Sequence, residues 1–112
     1  MKIRVTLKDI DKTEIIDVEN PVSRNSFDYI DSYGANNHLE VFDDGITIER
    51  YDIDHKTKVT LRKESYIQII SEEGTLTFLA KIVEFNKNFD IITIVYSVDD
   101  NQKEIIINYL GV

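Results

Sequence analysis

The chain has no cysteine, which rules out a disulfide scaffold and a thiolate zinc site; nothing in it calls for an oxidising compartment. Long apolar runs are missing too: no stretch approaches the roughly 18 residues that a membrane-spanning helix needs. Basic clusters are absent, and with 13 Lys and Arg against 21 Asp and Glu the net charge is −8. Such a chain repels phosphate backbones, so nucleic acid is not the expected partner. The only histidines are His38 and His55. No G-x-S-x-G, Walker-type loop or G-x-G-x-x-G occurs, so the expectation is a protein that is not an enzyme and carries no cofactor. The opening MKIRVTLKDI has a charge at nearly every second position and lacks the apolar core of a signal peptide. A cytoplasmic protein without a membrane partner is the default.

What the chain does have is β-branched residues in alternating runs. Eighteen of its 112 residues are isoleucine, a residue type that favours pleated, half-buried strands. In KIRVTLK, Ile3, Val5 and Leu7 share one face and Lys2, Arg4, Thr6 and Lys8 the other. Further strands are expected over 13–19, 27–33, 38–43, 45–51, 56–62, 66–71, 75–85, 89–98 and 103–110. Short polar or glycine-containing breaks separate them, and the single proline, Pro21, lies in the longest irregular connection. The stretch 75–85 changes face near Leu79, which predicts a bulge or bend. No segment reads as a helix.

One domain over residues 1–112 follows from the length. About ten short strands joined by tight links make an all-β, antiparallel up-and-down meander, which must close into a barrel or pack as two sheets to remove its edges. Closed or nearly closed is the expectation, with Ile3, Val5, Leu7, Val59, Leu61, Ile67, Ile69, Ile92, Ile94 and Val98 inward. In VFDDGITIERY, the Asp43-Asp44 pair reads as a turn rather than a cation site, with Asp44 and Gly45 at the tip of a hairpin and Asp43 exposed.

LEVFDDGITIER, followed by EEGTLTFLAKIVEFNKNFDIITIVYSVDDNQKEIIINYL, resembles an uncharacterised bacterial domain-of-unknown-function family with a lipocalin-like (calycin) β-barrel. The likeness lies in a glycine-led long strand, a short polar turn, an IxIxYxV strand and a final strand ending in INYL; it covers residues 38–112 best. The resemblance implies a barrel and a bacterial, cytoplasmic origin. It brings no biochemical activity, and fold alone does not fix function.

Three function classes follow, in this order: a non-catalytic binding module for a small apolar molecule, a protein–protein interaction or assembly module that includes a homodimer, and an enzyme with an unrecognised site. Tyr29, Phe42, Phe78 and Tyr96 are the candidate ligand-binding residues, because tyrosine hydroxyls can orient a ligand in an apolar interior. Equally, these rings and the many isoleucines can fill a small barrel, and a filled or nearly filled interior is the favoured expectation. Successive turns of a meander alternate between its ends, so Asp9, Asp11, Asp52, Asp54, Glu72, Glu73, Asp99 and Asp100 should gather at one rim, with His55 and His38 nearby. A divalent cation there would be held by His55, Asp52, Asp54 and Glu72. Solvated turn carboxylates are the plainer account.

Overall fold

Two-residue alternation dictates the structure almost throughout. The computed structural model describes residues 1–111. It contains eleven strands: β1 (Lys2–Lys8), β2 (Thr13–Glu19), β3 (Ser26–Ile30), β4 (Asn36–Phe42), β5 (Gly45–Tyr51), β6 (His55–Leu61), β7 (Ser65–Ser71), β8 (Gly74–Leu79), β9 (Lys81–Lys87), β10 (Ile91–Val98) and β11 (Asn101–Leu110). Every pairing is antiparallel. They form a five-stranded sheet, β2-β1-β11-β10-β9, and a six-stranded one, β3-β4-β5-β6-β7-β8. Neither sheet closes on itself by hydrogen bonding. Among the described residues no helix is long and apolar enough to cross a membrane.

The expected strand 75–85 is two strands, because the chain leaves one sheet and enters the other at Ala80. There the Ala80 N–H donates to the Ser65 carbonyl at 3.0 Å as the last rung beside β7, and from Lys81 the chain pairs with β10. A register shift opposite Val95 and Tyr96 then adds a bulge in β9. This is the physical meaning of the face change at Leu79. Of the other expected strands, 27–33 loses the most and ends at Ile30, while 89–98 begins at Ile91.

Inner faces of both sheets supply one core, with Ile3, Val5, Phe27, Leu39, Ile46, Leu61, Ile92, Ile94 and Ile107 fully buried. Removing such side chains from water contributes about 1.5–3 kcal/mol each. Leu7, Val59, Ile67 and Val98 pack against that core at its edges. Ile69, expected inward, is only half-buried and outside the core, because the opposing sheet does not reach its end of β7. The same shortfall leaves the inward-phase Leu76 of β8 62% exposed, and Leu79 on the outer face is 82% exposed.

At one end the irregular segment 20–25 is strapped down by Arg24. Its guanidinium lies between two rings, 4.2 Å from the centre of Phe89 and 4.3 Å from that of Tyr109. It also donates to the Phe89 carbonyl, while the Tyr109 hydroxyl donates to the Arg24 carbonyl at 2.9 Å. On the same end the β4–β5 hairpin turns on Asp43 and Asp44, one residue earlier than expected, and Gly45 already pairs with Phe42. Asp43 is fully exposed and 3.5 Å from Lys87, whereas Asp44 is 2.8 Å from Arg62. Gly45 is required by its neighbour: a Cβ there would fall 1.7 Å from the Leu61 carbonyl oxygen.

Candidate functional site

Inward positions recur every second residue, so a polar residue in that phase is placed between the sheets. Three occur at the same end. On β3, Phe27 and Tyr29 face in and Asp31 is next in phase. Asn37 precedes Leu39 and Val41 on β4, and Arg50 follows Ile46 and Ile48 on β5. The register sets Tyr29 opposite Asn37 and Asn37 opposite Arg50. The phase therefore brings Asp31, Asn37 and Arg50 together.

Asp31 is the hub. Its carboxylate accepts from Arg50 Nε at 2.7 Å, Asn37 Nδ2 at 3.0 Å, and the N–H groups of Tyr33 at 3.0 Å and Ala35 at 3.1 Å. These bonds fold residues 31–35 into a turn, which is why the strand stops at Ile30. Burial opposes ionisation of Asp31, yet Arg50, Asn37 and the two amides together hold its carboxyl below the usual carboxylate range.

This cluster forms one wall of a cavity of about 490 Å³ between the two sheets. Ile48 and Val59 from one sheet and Leu7 and Ile105 from the other make it apolar inside. The hydroxyls of Tyr29 and Tyr96 come from opposite sheets. Both tyrosines are more than nine-tenths buried, at 6% and 7% exposure, and neither hydroxyl has a hydrogen-bond partner among the described residues. Burial, reinforced by the Asp31 and Glu14 carboxylates, pushes the Tyr29 phenol far above its ordinary value. Burial with a smaller effect of Asp9 pushes Tyr96 up to about 12. Both keep their protons at neutral pH.

The mouth carries charges of both signs. Lys8 lies 3.5 Å from Glu104 and Lys103 3.6 Å from Asp9. The Lys12 ammonium sits 4.2 Å above the Tyr33 ring and donates to its hydroxyl. Glu14 accepts from the Ser32 N–H at 2.5 Å, tying β2 to the turn after β3.

No family model matches the chain, and no curated protein matches it. Among solved structures it is similar to the ywiB protein from Bacillus subtilis, with 15% identity, a TM-score of 0.42, and coverage of 99% of this chain and 89% of that one. A likeness of that size carries no argument about fold or function.

Of the four aromatics singled out in the sequence, Tyr29 and Tyr96 meet in the cavity. Phe42 is on the outer face of β4, with the Arg62 guanidinium 3.9 Å above its ring. Phe78 faces inward beside Ile67 but stands outside the cavity, at the uncovered end of the six-stranded sheet. The two sheets do put the turns bearing Asp9 and Asp52 at the cavity end, yet the carboxylates do not converge. Asp52 accepts from Arg50 at 3.2 Å and from the Ile53 N–H at 2.8 Å, and lies 3.9 Å from His55. Asp54 and Glu72 join no such group: among the described residues no three His, Asp or Glu side chains are placed to hold a metal ion. His38 is not at the rim; it sits on the outer face of β4, 2.6 Å from Asp28 and 3.1 Å from Glu40, whose hydrogen bonds raise its pKa.

Proposed function

We propose that the protein is a non-catalytic binding module that takes a small, mostly apolar molecule into the cavity between its sheets. The observation that carries this reading is the pair of hydroxyls of Tyr29 and Tyr96, from opposite sheets and without a protein partner, at the lining of an apolar space of about 490 Å³. Ligand sites fall in the range of about 300–1,000 Å³ and combine an apolar lining with a few convergent polar groups. In the same proposal the two sheets act as a flattened, lipocalin-like barrel in a cytoplasmic bacterial protein. Support for the barrel comes from the common core, from the passage of the chain from one sheet to the other at Ala80, and from the Ser32 N–H, which donates to the Glu14 carboxylate across the β2–β3 gap at 2.5 Å. The test is a titration with Nile red, a neutral apolar dye. It should bind one to one with a blue-shifted emission, and Val59→Trp, which fills the cavity, should abolish binding. Unchanged binding by that variant would remove the cavity from the reading.

A second reading, a protein–protein contact along β8, is favoured by its exposed Leu76 and Leu79. It predicts a mass that rises with concentration in light scattering and falls back to the monomer in Leu76→Lys. A constant monomer mass would dismiss it.

A further inference from the structure

Which apolar molecules the cavity accepts is constrained by its polar groups, and this step rests on the binding reading above. Its lining holds four cations, Lys8, Lys12, Arg50 and Lys103, and four carboxylates, Asp9, Glu14, Asp31 and Glu104. Three of the cations are already paired with three of those carboxylates, at 3.5, 2.7 and 3.6 Å. The mouth therefore has no net charge with which to attract an ion. Deeper in, burial is the main cause that weakens both phenols as acids, and the carboxylates of Asp31 and Glu14 near Tyr29 and of Asp9 near Tyr96 add to it. An anionic group beside them would be repelled by the same charges and stripped of water as well.

Both phenols keep a proton, and a ligand that displaces water from them without offering an acceptor leaves a donor unmet in an apolar cavity. A ligand that only donated would occupy the oxygen lone pairs and leave those protons unmet. We infer that the cavity binds a neutral, largely apolar molecule bearing a carbonyl-type acceptor oxygen, which receives hydrogen bonds from the Tyr29 and Tyr96 hydroxyls.

The experiment uses three probes of one size and shape: acetophenone, ethylbenzene and benzoate, titrated into the ¹⁵N-labelled full chain by NMR. The comparison protein is the Tyr29→Phe/Tyr96→Phe double variant, whose own spectrum reports that it is folded. Acetophenone should weaken about tenfold in the double variant, as expected for the loss of hydrogen bonds worth about 0.5–1.5 kcal/mol each. Ethylbenzene should bind both proteins alike, and benzoate should bind the parent more weakly than acetophenone does. Equal weakening of acetophenone and ethylbenzene, or benzoate as the tightest of the three, would overturn the acceptor assignment and leave the binding reading standing. If neither neutral probe shifts the cavity residues, the binding reading itself falls.

Discussion

Replacing Gly45 by alanine separates two reasons for needing glycine, contact and backbone conformation. Gly45 has φ of 156° and Gly74 has φ of 137°, so both positions strain an L side chain. Their surroundings differ completely. A Cβ at Gly45 would sit 1.7 Å from the Leu61 carbonyl oxygen and 2.8 Å from its carbon, whereas at Gly74 nothing lies within 4 Å. Carbon–oxygen contacts settle near 3.3 Å, so β5 and β6 would have to part by about 1.6 Å. That displacement starts beside the Ile46–Leu61 pair, both fully buried. Overpacking costs about 1–3 kcal/mol and a disfavoured φ a similar amount, giving about 3–5 kcal/mol for Gly45→Ala. Gly74→Ala should cost only the conformational part, about 1–2 kcal/mol. Against a stability of about 5–15 kcal/mol for a domain of this size, the first variant should lose a large share and the second a small one. Urea denaturation followed by circular dichroism measures both. Equal losses in the two variants would refute the close approach of Gly45 to Leu61.

Other consequences are as direct. Arg24→Ala should lose about 1–2 kcal/mol in the same assay, from two ring contacts worth about 0.5–1 kcal/mol each, and Arg24→Lys should not restore it because an ammonium cannot stack flat between Phe89 and Tyr109. Asp31 titrates below its unfolded value, so its contribution is present above about pH 4 and is lost as pH falls through the lowered folded value. Urea midpoints from pH 6 down to pH 2 should therefore fall more steeply for the parent than for Asp31→Asn, which should be weaker at pH 6 by at least about 2 kcal/mol. Parallel curves would show that the Arg50–Asp31 pair carries no such weight. The β10–β11 turn holds Asp99 at φ of 49° and Asp100 at 64°, the conformation that Asp-Gly adopts most readily. Asp100→Gly should raise stability by about 0.5–1 kcal/mol, and a lower melting temperature would contradict it.

Local pattern made the strands and their antiparallel order readable in the sequence, down to the bend near Leu79. It stopped short where a tertiary partner decides. Tyr33 reads as the end of a strand, but the Asp31 carboxylate draws the backbone of Tyr33 and Ala35 into a turn, and no propensity records that pull. Phe42 was excluded from the interior by a signal that is present in the sequence: it shares phase with His38 and Glu40, opposite to Leu39 and Val41. Phe78 has the inward phase, yet its exposure is set by how far the opposite sheet extends. The cavity wall was legible in the same way, since Asn37 and Arg50 are polar residues in an inward phase at strand ends. The pairing of Lys8, Lys103 and Arg50 with Glu104, Asp9 and Asp31 joins residues distant along the chain, so it had no local mark.

The uncovered strand β8 has a consequence for how the molecule behaves in a crowd. The other outermost strands carry charge, as with Lys81, Glu84 and Lys87 on β9, Asp17 on β2 and Asp28 on β3. β8 reads GTLTFL, without a charge or a proline. A bare edge of this kind is a template on which a second chain can add a strand. Long-range repulsion between molecules of net charge −8 opposes the approach of two such edges at neutral pH. That repulsion disappears near the pI of about 4.6 and is shortened by salt. Resistance to such strand addition thus rests on the global charge, since β8 carries no charged side chain of its own.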